Sequence, residues 1–167
     1  ARDPACEHKL HALLFFKGFL GIQAQRIMHF LWADGRRPLA CLIQSRVSEV
    51  FGMDLHPGAR LGGGLMIDHA TGIVVGETSV LGDNCTLYHG VTLGGTGKMS
   101  GDRHPELGDG VVVGCNATIL GSIHVGDSTL VAGGALVLKD VPARVTVAGC
   151  PAVIVADRRR EGGAATS

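Results

Sequence analysis

The sequence predicts a mainly β protein, a parallel β-helix built of hexapeptide repeats and preceded by two α-helices. Three observations carry that prediction. From Leu55 onward an aliphatic residue recurs every six positions, a period that drifts around a helix but fits short strands joined by corners. Glycine makes up 26 of 167 residues, roughly twice its usual share of about 7%, while aromatics make up only 4%. Ahead of the repeats, apolar residues fall at the three- and four-residue spacings of helices.

The first helix is expected over 5–33, where Leu10, Leu13, Leu14 and then Phe16, Phe19 and Leu20 share a face. The apolar run 12–32 does not read as a membrane span, because Lys17, Gln23, Gln25, Arg26 and His29 interrupt it. No signal-peptide pattern precedes it, and a start at "ARDPAC" without methionine reads as a fragment or a processed form. The segment "ADGRRP" (33–38) is a turn, with Gly35 stopping one helix and Pro38 suited to the first turn of the next. The second helix covers 38–51 and ends at Gly52.

The repeats then run through Leu55, Leu61 and Ile67 and, after two extra residues, Val75, Leu81, Leu87 and Leu93. After a longer interruption come Leu107, Val113, Ile119, Val125, Val131 and Val137. A small or β-branched residue often sits four places on, as at Ala59, Thr71, Ser79, Cys85, Val91, Val111, Ala117, Thr129 and Ala135. Each hexad supplies one short strand and one corner, with the aliphatic pointing inward. Three hexads close a triangular coil of about 18 residues, and coils stack at about 4.7–4.9 Å. Counting hexads in threes puts Ile67, Leu87, Val113 and Val131 on one face, and Leu55, Val75, Leu93, Ile119 and Val137 on the next. Extra residues must bulge from corners, so "LGGTGKMSGDRHP" (93–105) is an extruded loop. The organisation expected is a helical segment over 1–52, a β-helix over 53–155 with its loop at 94–106, and a disordered tail over 156–167.

Composition excludes several functions. Fifteen basic and fifteen acidic residues cancel, so nothing in the charge balance points to a polyanion partner such as a nucleic acid. Five cysteines without a CxxC pair make neither a disulfide framework nor a zinc cage, and point to a reducing compartment.

The stretches "RDPAC" (2–6), "KGFLGIQAQRIMHFLW" (17–32), "QSRVSEVFGMDLHPGARLGGGLMIDHATGIVVGET" (44–78), "VTLGGTGKMSGDRHPEL" (91–107) and "VAGCPAVIV" (147–155) resemble the hexapeptide-repeat acyltransferases and, within them, the serine O-acetyltransferases. The resemblance implies a left-handed coil, although crossover rules favour the opposite hand. It also implies a homotrimer, or a dimer of such trimers, with active sites between neighbouring prisms. The activity implied is acetyl transfer from acetyl-CoA to the hydroxyl of L-serine in cysteine biosynthesis, with no metal and with L-cysteine as inhibitor. A cytoplasmic location follows, or the plastid stroma. Family members bind cysteine synthase through a C-terminal isoleucine; this chain ends "EGGAATS", so that partnership is not expected.

Acetyl transfer to a hydroxyl needs a base to take its proton. Of eight histidines, His69 in "IDHATG" matches the family's general base, and Asp54 in "MDLHP" resembles the acid that orients it. Face arithmetic places Asp54 one coil below His69 but laterally offset, so their pairing rests on the resemblance. Asp68 and Asp3 resemble the carboxylates that hold the substrate ammonium, although Asp3 also reads as a helix N-cap before Pro4. Arg103 suits the serine carboxylate, with His104 beside it, and His104 serves either its own subunit's His69 or a neighbour's. His89 occupies the same hexad position as His69 one coil up, and lines the acceptor pocket. For coenzyme A the candidates are Gly94, Gly95, Thr96 and Gly97, then Gly114, Asn116, Ala117, Gly134 and Ala135 at corners, with Lys139 and Arg144 towards the nucleotide end.

Two other readings compete. A sugar or xenobiotic O-acetyltransferase shares the fold but needs no clamp like Asp68 and Arg103. A zinc hydrase would gather His69, His89 and His104 around a metal across a subunit boundary.

Overall fold

The computed structural model describes residue 6, residues 8–98 and residues 100–158. Three helices come first: α1 (Lys9–Phe15), α2 (Lys17–Ala33) and α3 (Arg37–Phe51). Fifteen strands follow: β1 (Asp54–Leu55), β2 (Arg60–Leu61), β3 (Met66–Ile67), β4 (Val74–Val75), β5 (Val80–Leu81), β6 (Thr86–Leu87), β7 (Thr92–Gly94), β8 (Glu106–Leu107), β9 (Val112–Val113), β10 (Thr118–Leu120), β11 (His124–Val125), β12 (Leu130–Val131), β13 (Leu136–Val137), β14 (Val145–Gly149) and β15 (Ala152–Asp157).

The strands form three parallel sheets around a triangular prism. The first sheet is β1-β4-β7-β10-β13, the second β2-β5-β8-β11 and the third β3-β6-β9-β12-β14, with β15 added antiparallel to β14. Register follows the hexads: Leu55 pairs with Val75, Val75 with Leu93, and Ile119 with both Leu93 and Val137. The two faces counted from the sequence are the first and third sheets. Inward aliphatics are buried to within 3% from Val75 to Val137, and in the lowest coil Leu55 is fully buried while Leu61 and Ile67 are partly so. The small residue four places on is buried too, from Ala59 to Ala135. Thr71 departs from that rule. The two extra residues shift the inward position to Ile73, which is fully buried, and leave Thr71 exposed.

Corners bend by placing the fourth residue of the hexad in the left-handed region, as at Asn84 (φ 59°), Gly90 (70°) and Asn116 (57°). Asparagine and glycine tolerate this conformation best, which accounts for their recurrence there. Corners leading out of the first sheet lack the feature.

Three helices replace the expected two because the first is broken at Phe16, which is extended (φ −83°, ψ 103°). The break follows from how α2 closes the open end of the prism. A Cβ at Gly18 would run into the carbonyl of Ile67, one at Gly21 into Met53, and Lys17 Nζ donates to Thr71 Oγ1. Further along, Gln25 donates to the Ala59 carbonyl and His29 Nδ1 to that of Pro57. With α2 fixed to the coil over its whole length, α1 leaves in its own direction. α3 starts with its proline in the first turn and ends at Gly52 in the left-handed region (φ 66°). The β14–β15 hairpin was not among the expected elements, because the six-residue period stops at Val137.

Leu93 is fully buried at the centre of the first sheet. Leu93→Ala is expected to lower unfolding free energy by about 2–5 kcal/mol in a denaturant titration, with an unchanged slope.

Candidate active site

The functional candidates are distributed over the three edges of the prism according to the hexad that carries them. His69 and His89 lie on the edge where the third sheet turns into the first. That corner is two residues longer at His69 than elsewhere, and His69 (φ 58°) and Ala70 (φ 62°) are consecutive non-glycine residues in the left-handed region. The Ala70 amide donates to the Asp68 carbonyl and the Thr71 amide to that of His69, both at 2.7 Å, closing two successive three-residue turns. Such turns with positive central φ are rare and strained, and strain of this kind gathers at functional sites.

The corner presents the His69 imidazole to solvent, with 74% of its side chain exposed and Nε2 3.6 Å from Asp68 Oδ2. His89 stands one rung above, its ring edge-on to that of His69 at 5.8 Å and 77°. The register that pairs Ile67 with Leu87 produces this contact. His89 Nδ1 is buried without a hydrogen-bond partner, a condition that costs about 1–3 kcal/mol. Below the pair a groove of about 660 Å³ opens, floored by Phe15, Phe16, Phe19, Ile22 and Ile67 and bounded by Asp68 and His69.

Asp54 begins β1 directly beneath Val74. Its Oδ1 accepts from Gln44 Nε2 at 2.7 Å, and the carboxylate that His69 meets is that of Asp68. Asp3 lies outside the described residues.

Arg103 and His104 are elsewhere, on the edge where the first sheet turns into the second. The loop leaves after β7 and folds back on the corner between β4 and β5. Arg103 Nη2 donates to Glu77 Oε2 at 2.6 Å and Nη1 to the Gly101 carbonyl at 3.3 Å. Thr78 Oγ1 accepts from the amides of Arg103 and His104, while His104 Nδ1 accepts from the Thr78 amide at 3.3 Å. The hydrogen bond from Arg103 holds the Glu77 carboxyl below the usual carboxylate range. Burial, and secondarily the Arg103 charge, pushes the His104 pKa down. Burial does the same to His56 against the pull of Glu77 and Asp54. His56 Nδ1 accepts from the Gly58 amide, and its ring meets Trp32 edge-on at 5.0 Å. Glu77, Thr78 and His56 were missed by sequence reasoning. Glu77 and Thr78 close the "VGET" end of a quoted motif, and only the return of the loop brings them to Arg103.

One chain therefore joins His69, Asp68 and His89 on one edge of the first sheet, and Arg103 and His104 on the other. Among the described residues no three metal-ligating side chains cluster. Gly114, Asn116, Ala117, Gly134 and Ala135 continue up the His69 edge. Ala117 and Ala135 are buried, and their amides donate to Gly114 and Ala132 within the corners. Gly95, Thr96, Gly97 and Lys139 belong to the Arg103 edge, with Gly94 ending β7 beside them. Arg144 lies on the third edge with Asp127, Ser128 and Arg158, apart from both other groups.

Comparison with known proteins points one way. Residues 1–24 match the family model described as serine acetyltransferase, N-terminal. Serine acetyltransferase 4 of Arabidopsis thaliana is 56% identical over 92% of this chain and 43% of its own length. The chain thus spans about half, or less, of such plant relatives. A serine acetyltransferase of Neisseria gonorrhoeae solved in complex with serine superposes with a TM-score of 0.90 at 58% identity, over 93% of this chain and 63% of that one. One from Brucella abortus in complex with coenzyme A gives 0.92 at 54%, over 93% and 62%. The shared architecture is the left-handed parallel β-helix.

The half-buried His56 and His104 set a pH dependence. Both have folded pKa values below the ordinary 6.5, so on acidification the unfolded chain takes up protons first and stability falls from about pH 6.5 downward. Glu77, depressed in the fold, adds a second loss below about 4.5. The melting temperature is expected to drop between pH 7 and 5, and to drop less in His56→Asn/His104→Asn.

Proposed function

The chain belongs to the serine acetyltransferase family, and from that membership we propose that the protein transfers the acetyl group of acetyl-CoA to the hydroxyl of L-serine. One observation carries the proposal to this chain's own residues: a strained, solvent-facing His69 with a carboxylate at 3.6 Å and a second imidazole above it, at the mouth of an open groove. His69 takes the hydroxyl proton as the oxygen attacks the thioester carbonyl. The carbon–oxygen bond forms, the carbon–sulfur bond breaks, and the proton passes from His69 to the departing sulfur, so coenzyme A leaves as the thiol. Asp54 is the partner that orients the imidazole, with Oδ2 free beside the Oδ1 that Gln44 fills. Asp68 and Asp3 hold the substrate ammonium, Arg103 and His104 its carboxylate, and His89 lines the pocket with an unpaired nitrogen. Acetyl-CoA lies along the groove from the Gly94–Gly97 turn towards Gly114, Asn116, Gly134 and Lys139, with Arg144 the least supported contact.

The carboxylate-binding pair Arg103 and His104 and the base sit on opposite edges of one sheet, which supports a site shared between copies of the chain in a homotrimer. His104 then serves a neighbour's His69. L-cysteine carries the same ammonium and carboxylate and is proposed as an inhibitor at that site. Five free cysteines suit a reducing cytoplasm or plastid stroma.

Thiol release from acetyl-CoA with serine, homoserine and a galactoside as acceptors tests the assignment. Serine is expected to be strongly preferred, and His69→Ala to lose at least about 100-fold in kcat. Asp54→Asn should lower kcat, whereas Asp68→Asn and Arg103→Ala should chiefly raise KM for serine. Cysteine should raise that KM at constant kcat. Serine-independent release, an unaffected His69→Ala, or one tightly held zinc per chain would overturn the reading.

Shared sites give a second test. Assayed at serine far below the raised KM of Arg103→Ala, where His69→Ala and Arg103→Ala chains are each nearly inactive, the two are expected to regain activity when unfolded and refolded together. Random mixing of protomers leaves about a quarter of the sites intact. No recovery would place the whole site within one chain.

A further inference from the structure

The residue that follows the inward aliphatic is in many coils a glycine, and its usual cause is the backbone above. A Cβ at Gly62 would meet the backbone of Gly82, one at Gly82 the backbone of Gly108, and one at Gly114 that of Gly133. Gly76 is different. The three atoms nearest its missing Cβ all belong to the His104 ring, with Cγ at 2.7 Å and Cδ2 and Nε2 closer still. Nor does its backbone require glycine, since Gly76 is absent from the positive-φ positions.

The column that contains Gly76 explains the space. Register stacks His56, Gly76, Gly94, Leu120 and Leu138 along one margin of the first sheet. Side chains stand at the bottom and top of this column, and the two glycines leave a notch two rungs high. At the Gly94 rung the Leu120 side chain takes the space, and at the Gly76 rung the returning loop seats the imidazole of His104, with Gly95 against its other side, where a Cβ would lie 3.5 Å from Nε2. Within the notch Nδ1 accepts from the Thr78 amide. The Thr78 hydroxyl also lies 3.0 Å from Nδ1. Its oxygen already accepts from the Arg103 and His104 amides, so its proton turns to Nδ1. With the Thr78 amide donating there too, the neutral ring carries its own proton on Nε2.

We infer that Gly76 is a positioning residue of the acceptor site: its bare backbone is the seat that fixes the His104 ring with Nδ1 on Thr78 and leaves Nε2–H as the donor for the acceptor's carboxylate. The inference rests on the reading of His104 as an acceptor-binding residue. A methyl group at position 76 expels the ring from its seat and breaks its bond to Thr78 while leaving the coil's own backbone contacts in place.

The test is a cycle of Gly76→Ala, His104→Ala and the double variant, with KM for serine and for acetyl-CoA measured separately. Gly76→Ala is expected to raise KM for serine about tenfold, the worth of one hydrogen bond, and to leave that for acetyl-CoA unchanged. In the His104→Ala background the same substitution should have no further effect, because the ring it displaces is gone. Equal effects in both backgrounds, or a rise confined to acetyl-CoA, would overturn the inference. Nitrogen-15 spectra of the His104 ring give a readout independent of activity. The parent should show a protonated Nε2 and an accepting Nδ1, and Gly76→Ala should lose that pattern. An inactive parent would refute serine acetylation, and the spectra would still decide the seat. If Gly76→Ala fails to fold, recovery of the fold in the double variant supports the inference, and failure of both counts against it.

Discussion

Strands of two residues can exchange backbone hydrogen bonds only rung by rung, and this requirement governs everything else in the molecule. The Asp54 amide reaches the Ile73 carbonyl, the His56 amide that of Val75 and the Val74 amide that of Val91, each at 2.8–2.9 Å. A slip of one residue would turn every inward aliphatic outward. Position within a hexad therefore decides both burial and the edge on which a side chain stands. Extra residues cannot be absorbed by a strand without breaking the ladder, so they are confined to corners. That is where the chemically suited side chains are found.

The two insertions differ in kind. The two extra residues at His69 tighten a corner into successive strained turns and push one imidazole outward. The long insertion after β7 returns to the prism, where Glu77, Thr78, Gly76 and Gly95 hold its Arg103 and His104 in place. Both insertions belong to the same sheet, at its opposite margins. The rigidity of that sheet keeps the two groups apart within one chain, and an arrangement that uses both needs a second prism alongside.

Periodicity made the fold legible because each hexad repeats the same physical decision: an aliphatic inward, a small residue at the bend. Faces, register and the extruded loop followed from counting. What counting missed was set by contacts remote in sequence. The break at Phe16 comes from Gly18 against Ile67, and amphipathic spacing alone runs straight through it. Thr71 was counted with the small residues four places on because the extra residues of its corner were counted after it, and the buried position is Ile73. The β14–β15 hairpin obeys cross-strand pairing, which carries no six-residue signature. In the site, His69 and His89 were legible as neighbours on one face. Glu77 was not, because only the return of the loop makes it a partner of Arg103. Asp54 and His69 share a corner region, yet Gln44 of α3, on a separate element, takes one oxygen of Asp54.

The two margins also differ in how completely their polar groups are satisfied. Arg103 is held by Glu77 and the Gly101 carbonyl, and His104 by Thr78. That margin is organised before any ligand arrives, so little further ordering is needed on binding. At the other margin His69 has only a carboxylate at 3.6 Å, and His89 Nδ1 has no partner. A buried nitrogen without a hydrogen bond, beside two residues in the left-handed region, is an arrangement that folding alone disfavours by a few kcal/mol. It persists because register in the coil above, with β1 and the helices beneath, fixes the corner whatever the corner costs. The unsatisfied margin is the one with room for new hydrogen bonds, so incoming groups gain most there. That contrast supports the proposal that acetyl transfer takes place beside His69 and His89, with the preorganised margin selecting the acceptor.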